Sequence, residues 1–476
     1  MLSGSRLEPV RRFIVMLCAL ATALAAPGLA RATEVSLAMD DGVHIFASLL
    51  EPAGTPPTGG WPSVMMFHGL GGKHEDLLPL AQTYVARGFA VFVPDARGHG
   101  SSGGYVSLDG PREVADVRTE FQWFAGLPEV SDTQIGAWGI SLGGGAAWNS
   151  VVAGVPFKAL ETFETWSDLY RALFPQNFGK SGAIYAFAQS VPAERIDPAL
   201  RPFVPQLIGG ENLSTIRDLL GSRSSLRLMS AVTTPSFLFQ GRRDFAFDID
   251  QAVDAYRRLA GPKRLYVGDF GHAPSSFPGP DLAHILDLSI RWYDRFLKDE
   301  PNGVDKEPPV QVASEPALPP KQKLTLANYA RPPATKRVEL RATARHSMTA
   351  RGKVVYTFPP LRKTVEQFGA PVLTVTASTA SEWPHLVAVV AAGGTVLSEG
   401  GTLTSFGRNA KRVSFRLISD ANLLKRGTTL KLYLGGTSTV QNVANLLYLK
   451  LVPDDARLRV TRVTLTLPVL PKTISR

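Results

Sequence analysis

Between residues 33 and 306, short and almost uninterrupted apolar runs alternate with segments of helical periodicity. The runs are PSVMMF (62–67), FAVFVP (89–94), QIGAWGI (134–140), FKALETF (157–163), PSFLFQ (235–240) and KRLYVG (263–268). Strands that are apolar on both faces and separated by helices predict a parallel sheet covered on both sides. Upstream, EVSLAM and VHIFASLL flank DDG at 40–42, which is a hairpin signal. Helical patterns are expected over about 75–86 and from the glycine-rich turn after 140 through about Val152. One connection is too long. About 70 residues separate FKALETF from PSFLFQ, where a crossover helix needs about a dozen. WSDLYRALF, SGAIYAFAQSV and STIRDLLGS lie there and suit helices, so a helical cap over about 165–230 is expected above the C-terminal edge of the sheet.

The pattern changes after the helical segment RWYDRFLKDE. A Pro-rich stretch at 307–320 reads as a linker. From 321 onward, KRVELRATA, KVVYTF, PVLTVTAS, HLVAVVAAGG, RVSFRLIS, TLKLYLGG and RVTRVTLTLPV are strand-like and spaced by turns, which predicts an all-β sandwich or jelly roll. The chain of 476 residues thus divides into an α/β domain at 33–306 and a β domain at 321–476.

Residues 1–32 stand apart. Arg6, Arg11 and Arg12 precede the apolar stretch FIVMLCALATALAA (13–26), and ARA at 30–32 supplies small residues, so a signal peptide cleaved after Ala32 and an exported protein, periplasmic or secreted, are expected. The apolar stretch falls short of the ~20 residues that span a bilayer. Cys18 is the one cysteine and lies in this segment behind a poor lipobox. Without a thiol in the mature chain, a cysteine nucleophile, a thiolate-bound zinc and disulfides are excluded. Charge is uneven: residues 307–476 carry 24 Lys and Arg against nine Asp and Glu, which leaves 33–306 acidic. A solvated basic β-surface is the preferred reading, with weak association to an anionic envelope surface as the sharper one. The absence of any run of five Lys or Arg favours the solvated surface, and no nucleic-acid partner is expected.

WGISLGGGAAW (138–148) carries the candidate chemistry. Ser141 sits in Gly-x-Ser-x-Gly with Gly139 and Gly143, an apolar strand before it and a helix after it. A serine hydroxyl becomes a nucleophile when an imidazole takes its proton. A sharp strand-to-helix turn exposes the hydroxyl, and the helix N-terminus favours developing negative charge. The expected base is His272, in the loop after KRLYVG; His284 falls inside a helix and reads as packing. The expected acid is Asp244, four residues past PSFLFQ, whereas Asp248 and Asp250 suit the start of the following helix. The order Ser, Asp, His is that of the α/β-hydrolase arrangement. Backbone N–H groups of Leu142 and of Leu70, in FHGLGGKHED, are the candidate oxyanion donors, with His68 structural. In the loop DARGHGSSGG, Asp95 or Arg97 reads as a hydrogen-bonded pin, and a substrate contact by Arg97 or His99 is the alternative. Trp166, Tyr170 and Phe174 follow helical spacing in the cap and are read as either cap core or substrate pocket. No cofactor is called for, and no metal, because no histidine pair has ligand spacing.

HGLGG, DARGHGSSGG, GISLGGG, QGRRD and DFGH, in this order, resemble the α/β-hydrolase superfamily over residues 34 to 300. WYDRFLKDEPNGVDKEPPVQV followed by a β-rich domain is similar to the cocaine-esterase and X-prolyl dipeptidyl-peptidase group, and RVSFRLISDANLLKRGTTLKLYL to a strand pair of its C-terminal jelly roll. The resemblance implies an α/β-hydrolase sheet with an inserted helical cap and a C-terminal jelly roll, with Ser141, Asp244 and His272 as the triad. Cocaine esterases place a tyrosine in the oxyanion loop, where this chain has Leu70 and offers only its amide. The function expected is an exported serine hydrolase cleaving carboxylic esters of small molecules through an acyl-enzyme. The alternative is an X-Pro dipeptidyl-peptidase acting on short peptides, whose pocket for a free amine needs a carboxylate such as Glu161, Glu164 or Asp168. A non-catalytic envelope-binding protein is the third reading.

Overall fold

The apolar runs become strands of one ten-stranded sheet. The structure is a computed structural model that describes residues 31–315, 324–441 and 445–474. The sheet comprises β1 (Arg31–Ala38), β2 (His44–Glu51), β3 (Trp61–Phe67), β4 (Ala90–Pro94), β5 (Val130–Ile140), β6 (Ala159–Phe163), β7 (Ser236–Gly241), β8 (Lys263–Gly268), β9 (Val310–Ala313) and β10 (Leu326–Tyr329). Their order is β1-β2-β4-β3-β5-β6-β7-β8-β9-β10, parallel from β4 to β9, with β1, β2 and β10 added antiparallel. The expected export segment at 1–32 lies outside the described residues except for Arg31 and Ala32, which open β1.

Alternation in β3 shows why these runs are apolar throughout. Met65 and Phe67 point to one face, where α2 (Pro111–Ala125), α3 (Leu142–Val152) and α8 (Ile249–Arg258) supply Phe121, Trp148 and Val253. Val64 and Met66 point to the other, against Tyr84 of α1 (Leu78–Val85) and Leu288 and Trp292 of α9 (Leu282–Leu297). Each large side chain so buried contributes about 1.5–3 kcal/mol, and neither face of the strand can turn polar.

Between β6 and β7 stand four short helices, α4 (Leu169–Leu173), α5 (Ser181–Ala188), α6 (Val204–Gly209) and α7 (Leu213–Gly221), which form a cap over the C-terminal ends of the strands. The cap also docks on the C-terminal domain. Gly182 N–H donates to Leu447 O at 2.9 Å, and Phe178 stacks on Tyr448 with ring centres 5.4 Å apart. A Cβ at Gly182 would fall 1.1 Å from Leu446 O, so this contact requires glycine.

The β domain is a sandwich of β11 (Lys336–Ala342), β12 (His346–Thr349), β13 (Lys353–Thr357), β14 (Val365–Gly369), β15 (Val372–Ser378), β16 (His385–Ala392), β17 (Thr395–Leu403), β18 (Lys411–Arg416), β19 (Asp420–Leu424), β20 (Leu430–Gly435) and β21 (Arg457–Val469). A seven-stranded sheet built around β21 faces the sheet β13-β20-β16-β17, and their inward residues, Leu373, Val375 and Leu465 against Leu386, Ala388 and Leu432, fill the space between them. Outward positions expose Arg412, Arg459 and Arg462, a charged sheet face in solvent.

The linker expectation at 307–320 needs correction. Pro308 and Pro309 favour an extended backbone, but the residues after them, Val310–Ala313, form β9, with Val310, Gln311 and Val312 paired to β8. β10 then pairs with β9, so the α/β sheet continues to Tyr329, beyond the expected boundary at 321.

Candidate active site

Ser141 occupies the sharp turn between β5 and α3 with φ +55° and ψ −115°, a conformation rare for a residue with a Cβ. The surrounding chain holds it there. Its N–H donates to Phe163 O at 3.0 Å, and its carbonyl accepts from Thr165 Oγ1 at 2.7 Å. The flanking glycines are steric requirements: a Cβ on Gly139 would lie 2.1 Å from Gly143 O, and one on Gly143 would lie 2.0 Å from Phe67 O. The turn thus packs directly against the end of β3, and the side chain of Ser141 is left accessible.

His272 and Asp244 reach Ser141 from later loops. His272 Nε2 lies 3.0 Å from Ser141 Oγ, and His272 Nδ1 lies 2.7 Å from Asp244 Oδ2. Asp244 is fully buried, and its orientation is fixed. Oδ1 accepts from the N–H groups of Ala246 and Phe247, each at 2.9 Å, and Oδ2 also accepts from His272 N at 3.2 Å. Burial works against a charged imidazole, but the charge and hydrogen bond of Asp244 and the charge of Glu164 outweigh it, pushing His272 up to about 9. These are the distances of a nucleophile, a base and an orienting acid.

Gly69 brings the loop after β3 against the serine, since a Cβ there would sit 3.6 Å from Ser141 Cβ. Leu70, the next residue, packs with Leu142 in one apolar cluster. Leu142 N–H is the first amide of α3, where no intrahelical acceptor exists. His68 serves as a tether: its Nδ1 donates to Gly69 O at 2.8 Å and its Nε2 accepts from Ala96 N at 2.9 Å. Arg97 is held by Asp116 and Asp41, and His99 Nδ1 lies 3.1 Å from Arg97 O, so both pin their loop. Asp248 precedes α8 and accepts from Ser419 N at 3.1 Å without capping the helix, Asp250 pairs with Arg416, and His284 packs near Tyr266 within α9.

Trp166, Tyr170 and Phe174 are 4%, 7% and 1% exposed and pack within the apolar cluster of the cap. Trp166 Nε1 donates to Arg223 O at 2.8 Å, and Tyr170 OH donates to Asn177 Oδ1 at 2.9 Å. Their polar atoms are thus committed to the cap. The aromatic rings that meet the base are Phe247, edge-on to His272 at 5.2 Å, and Phe187 at 6.4 Å. Neither belongs to a motif; the loop after β7 brings Phe247 to the imidazole, and cap helix α5 brings Phe187.

The three carboxylates considered for an amine pocket go elsewhere. Glu161 is buried in β6 and accepts from the Ser289 hydroxyl. Asp168 caps α4 through Arg171 N at 3.0 Å. Glu164 stands 3.2 Å from His272 Nδ1, on the side of the ring away from Ser141. Among the described residues two groups bring His and carboxylate atoms within 4.8 Å of one another, Glu164 with Asp244 and His272, and His74 with Glu75 and Asp95. In the first the imidazole already spans Asp244 and Ser141. In the second the Asp95 oxygens accept from the N–H groups of His74 and Ser101.

The X-Pro dipeptidyl-peptidase (S15 family) profile matches residues 41–274, the stretch that holds Ser141, Asp244 and His272. A Bacillus anthracis protein carrying an Xaa-Pro dipeptidyl-peptidase designation is 20% identical over 369 residues, which cover 64% of this chain and 59% of that protein. The chain thus spans under two thirds of that relative's length. A CocE/NonD family hydrolase from Staphylococcus aureus superposes with a TM-score of 0.71 at 15% identity, over 94% of this chain and 98% of that one. An α-amino acid ester hydrolase superposes with a TM-score of 0.67 at 14% identity, over 94% and 98%. These likenesses extend through both domains. The chain therefore has the α/β-hydrolase fold in the architecture of these CocE/NonD-type structures, an α/β domain followed by a C-terminal β domain, and its α/β domain is similar to the X-Pro dipeptidyl-peptidase (S15) family.

Proposed function

We propose that the protein is a serine hydrolase that cleaves carboxylic esters of small molecules through an acyl-enzyme intermediate. The observation that carries this reading is the continuous line from Asp244 Oδ2 through both nitrogens of His272 to Ser141 Oγ, at 2.7 and 3.0 Å. Ser141 Oγ attacks the acyl carbon while His272 Nε2 takes its proton, and Asp244 holds the ring and the imidazolium that forms. The amides of Leu70 and Leu142 stabilise the oxyanion of the tetrahedral intermediate. His272 then protonates the leaving alcohol; in the second half-reaction it takes a proton from water as that water attacks the acyl carbon, and returns it to Ser141 Oγ as the carboxylic acid is released.

The S15 family match supports a second reading, an X-Pro dipeptidyl-peptidase with the same triad. Ester cleavage is favoured because Glu161, Glu164 and Asp168 all have other partners and offer no carboxylate to a substrate amine. A fluorophosphonate probe is expected to label the wild-type protein and to fail with Ser141→Ala; labelling of that variant would overturn the triad. Turnover of p-nitrophenyl acyl esters, compared with Gly-Pro and Ala-Pro anilides, separates the two substrate classes. We further propose export, on the strength of Arg6, Arg11 and Arg12 before the apolar stretch 13–26; N-terminal sequencing of the mature protein after expression checks for a start at Thr33.

A further inference from the structure

Glu164 is placed at a cost. It is the first residue past β6 and has φ +38°, a backbone conformation that only glycine adopts freely. It is 3% exposed, and its Oε1 is buried with no hydrogen-bond partner. Burying a carboxyl oxygen without a hydrogen-bond partner costs free energy, and a native structure that keeps one calls for a reason nearby. The polar group that it meets is the His272 imidazole, with Oε2 3.2 Å from Nδ1. Asp244 Oδ2 approaches the same nitrogen at 2.7 Å, so two carboxylates from neighbouring strands converge on one N–H. The sheet enforces this. Glu164 N–H donates to Phe239 O of β7 at 2.9 Å, which holds the end of β6 beside the loop that carries Asp244.

We propose that Glu164 is a second acid partner of His272, holding the Nδ1 side of the ring together with Asp244 and sustaining turnover when Asp244 is lost. It acts through the imidazole and is a positioning residue. The proposal rests on the triad reading above.

The groups facing this ring are Asp244 from the loop after β7, Glu164 from the end of β6 and Lys180 from the cap, with Phe247 and Phe187 as apolar walls. Lys180 Nζ is turned to the carbonyls of Phe245 and Ala246, at 2.7 and 3.1 Å, and its charge opposes protonation of His272. Burial pushes the Glu164 carboxyl up to about 8; the His272 charge pulls it down and the Asp244 charge adds to the rise. Two carboxylates at one proton resist ionising together, so at neutral pH Glu164 stands beside Asp244 largely as the neutral acid. Above that range Glu164 ionises, and the imidazole then faces two negative charges. Glutamine at 164 removes this second charge and keeps the shape.

The test measures ester turnover from about pH 6 to about pH 10 for wild type, Glu164→Gln, Asp244→Asn, the double variant and Ser141→Ala. Glu164→Gln is expected to leave KM unchanged and to move the rising limb of kcat/KM to lower pH, which a merely structural role would not do. Asp244→Asn is expected to lose roughly 10²-fold, against the ~10⁴-fold of a triad with no second acid. The double variant should fall at least tenfold further. A double variant equal to Asp244→Asn, or a Glu164→Gln limb superimposed on the wild type, overturns the proposal. If Asp244→Asn does not fold, the Glu164→Gln limb alone decides. Turnover by Ser141→Ala would remove the triad reading itself, whereas an inactive Ser141→Ala with an unshifted Glu164→Gln removes only Glu164.

Discussion

Arg242 and Glu366 form an ion pair closed off from solvent, with side chains 0% and 1% exposed. It joins the two domains at a sensitive point, because Arg242 lies two residues before Asp244 and Glu366 lies in β14 of the sandwich. Arg242 Nη1 also donates to Ala313 O, and Arg242 O accepts from Ala421 N at 2.8 Å. The loop that carries the acid is therefore clamped between its own sheet and the β domain. Removing one partner of such a pair leaves a buried, uncompensated charge. Glu366→Ala is expected to lose about 3–5 kcal/mol of stability in chemical denaturation. Arg242→Met combined with Glu366→Leu is expected to recover most of that loss.

The rate should rise with pH. His272 must be neutral to accept the Ser141 proton, and its surroundings push it up to about 9. The rising limb of kcat/KM for an activated ester is therefore expected near pH 9, with roughly 50-fold more activity at about pH 9 than at about pH 7. Stopped assays corrected for spontaneous hydrolysis measure this. A limb near the ordinary histidine range would show that the two acids do not act on the ring as described.

Stability should move the other way. Burial pushes Glu120 and Glu399 each up to about 8, from an ordinary value of 4.5. Between those values the folded protein holds protons that the unfolded chain has released, so the stability these groups give is intact below about 4.5 and is lost as pH rises through about 8. Thermal midpoints are expected to fall across that window. Glu120→Gln and Glu399→Gln should each flatten the decline in melting experiments.

The nucleophile turn tolerates no side chain at Gly143, where a Cβ would meet Phe67 O at 2.0 Å. Gly143→Ala must push the turn away from β3, and with it Ser141 from the loop of Gly69 and Leu70. A stability loss of roughly 1–3 kcal/mol is expected from the overpacking. Turnover should fall by ~10²-fold or more, since displacements of about 1 Å at a reacting group have that effect. Circular dichroism and ester turnover on the same preparation separate the two.

Much of this was legible in the sequence because it is local. The apolar run 134–140 and the glycines at 139 and 143 specify a buried strand and a turn with no room for a Cβ, which puts Ser141 on show. Asp244 and His272 could be chosen because each follows such a run at loop distance. The same local habit misled at 307–320, where the prolines outweighed the short run Val310–Ala313 that extends the sheet as β9.

Tertiary structure decided what depends on neighbours far along the chain. Glu164 meets His272 because β6 lies beside β7, a fact of strand order that no spacing encodes. Trp166, Tyr170 and Phe174 could be core or pocket until the cap folded, buried all three, and committed the polar atoms of Trp166 and Tyr170. Arg242 finds Glu366 across 124 residues. Periodicity and turn sterics act within a few residues and can be read directly from a chain, whereas the partner of a buried charge is whatever the completed packing brings within reach.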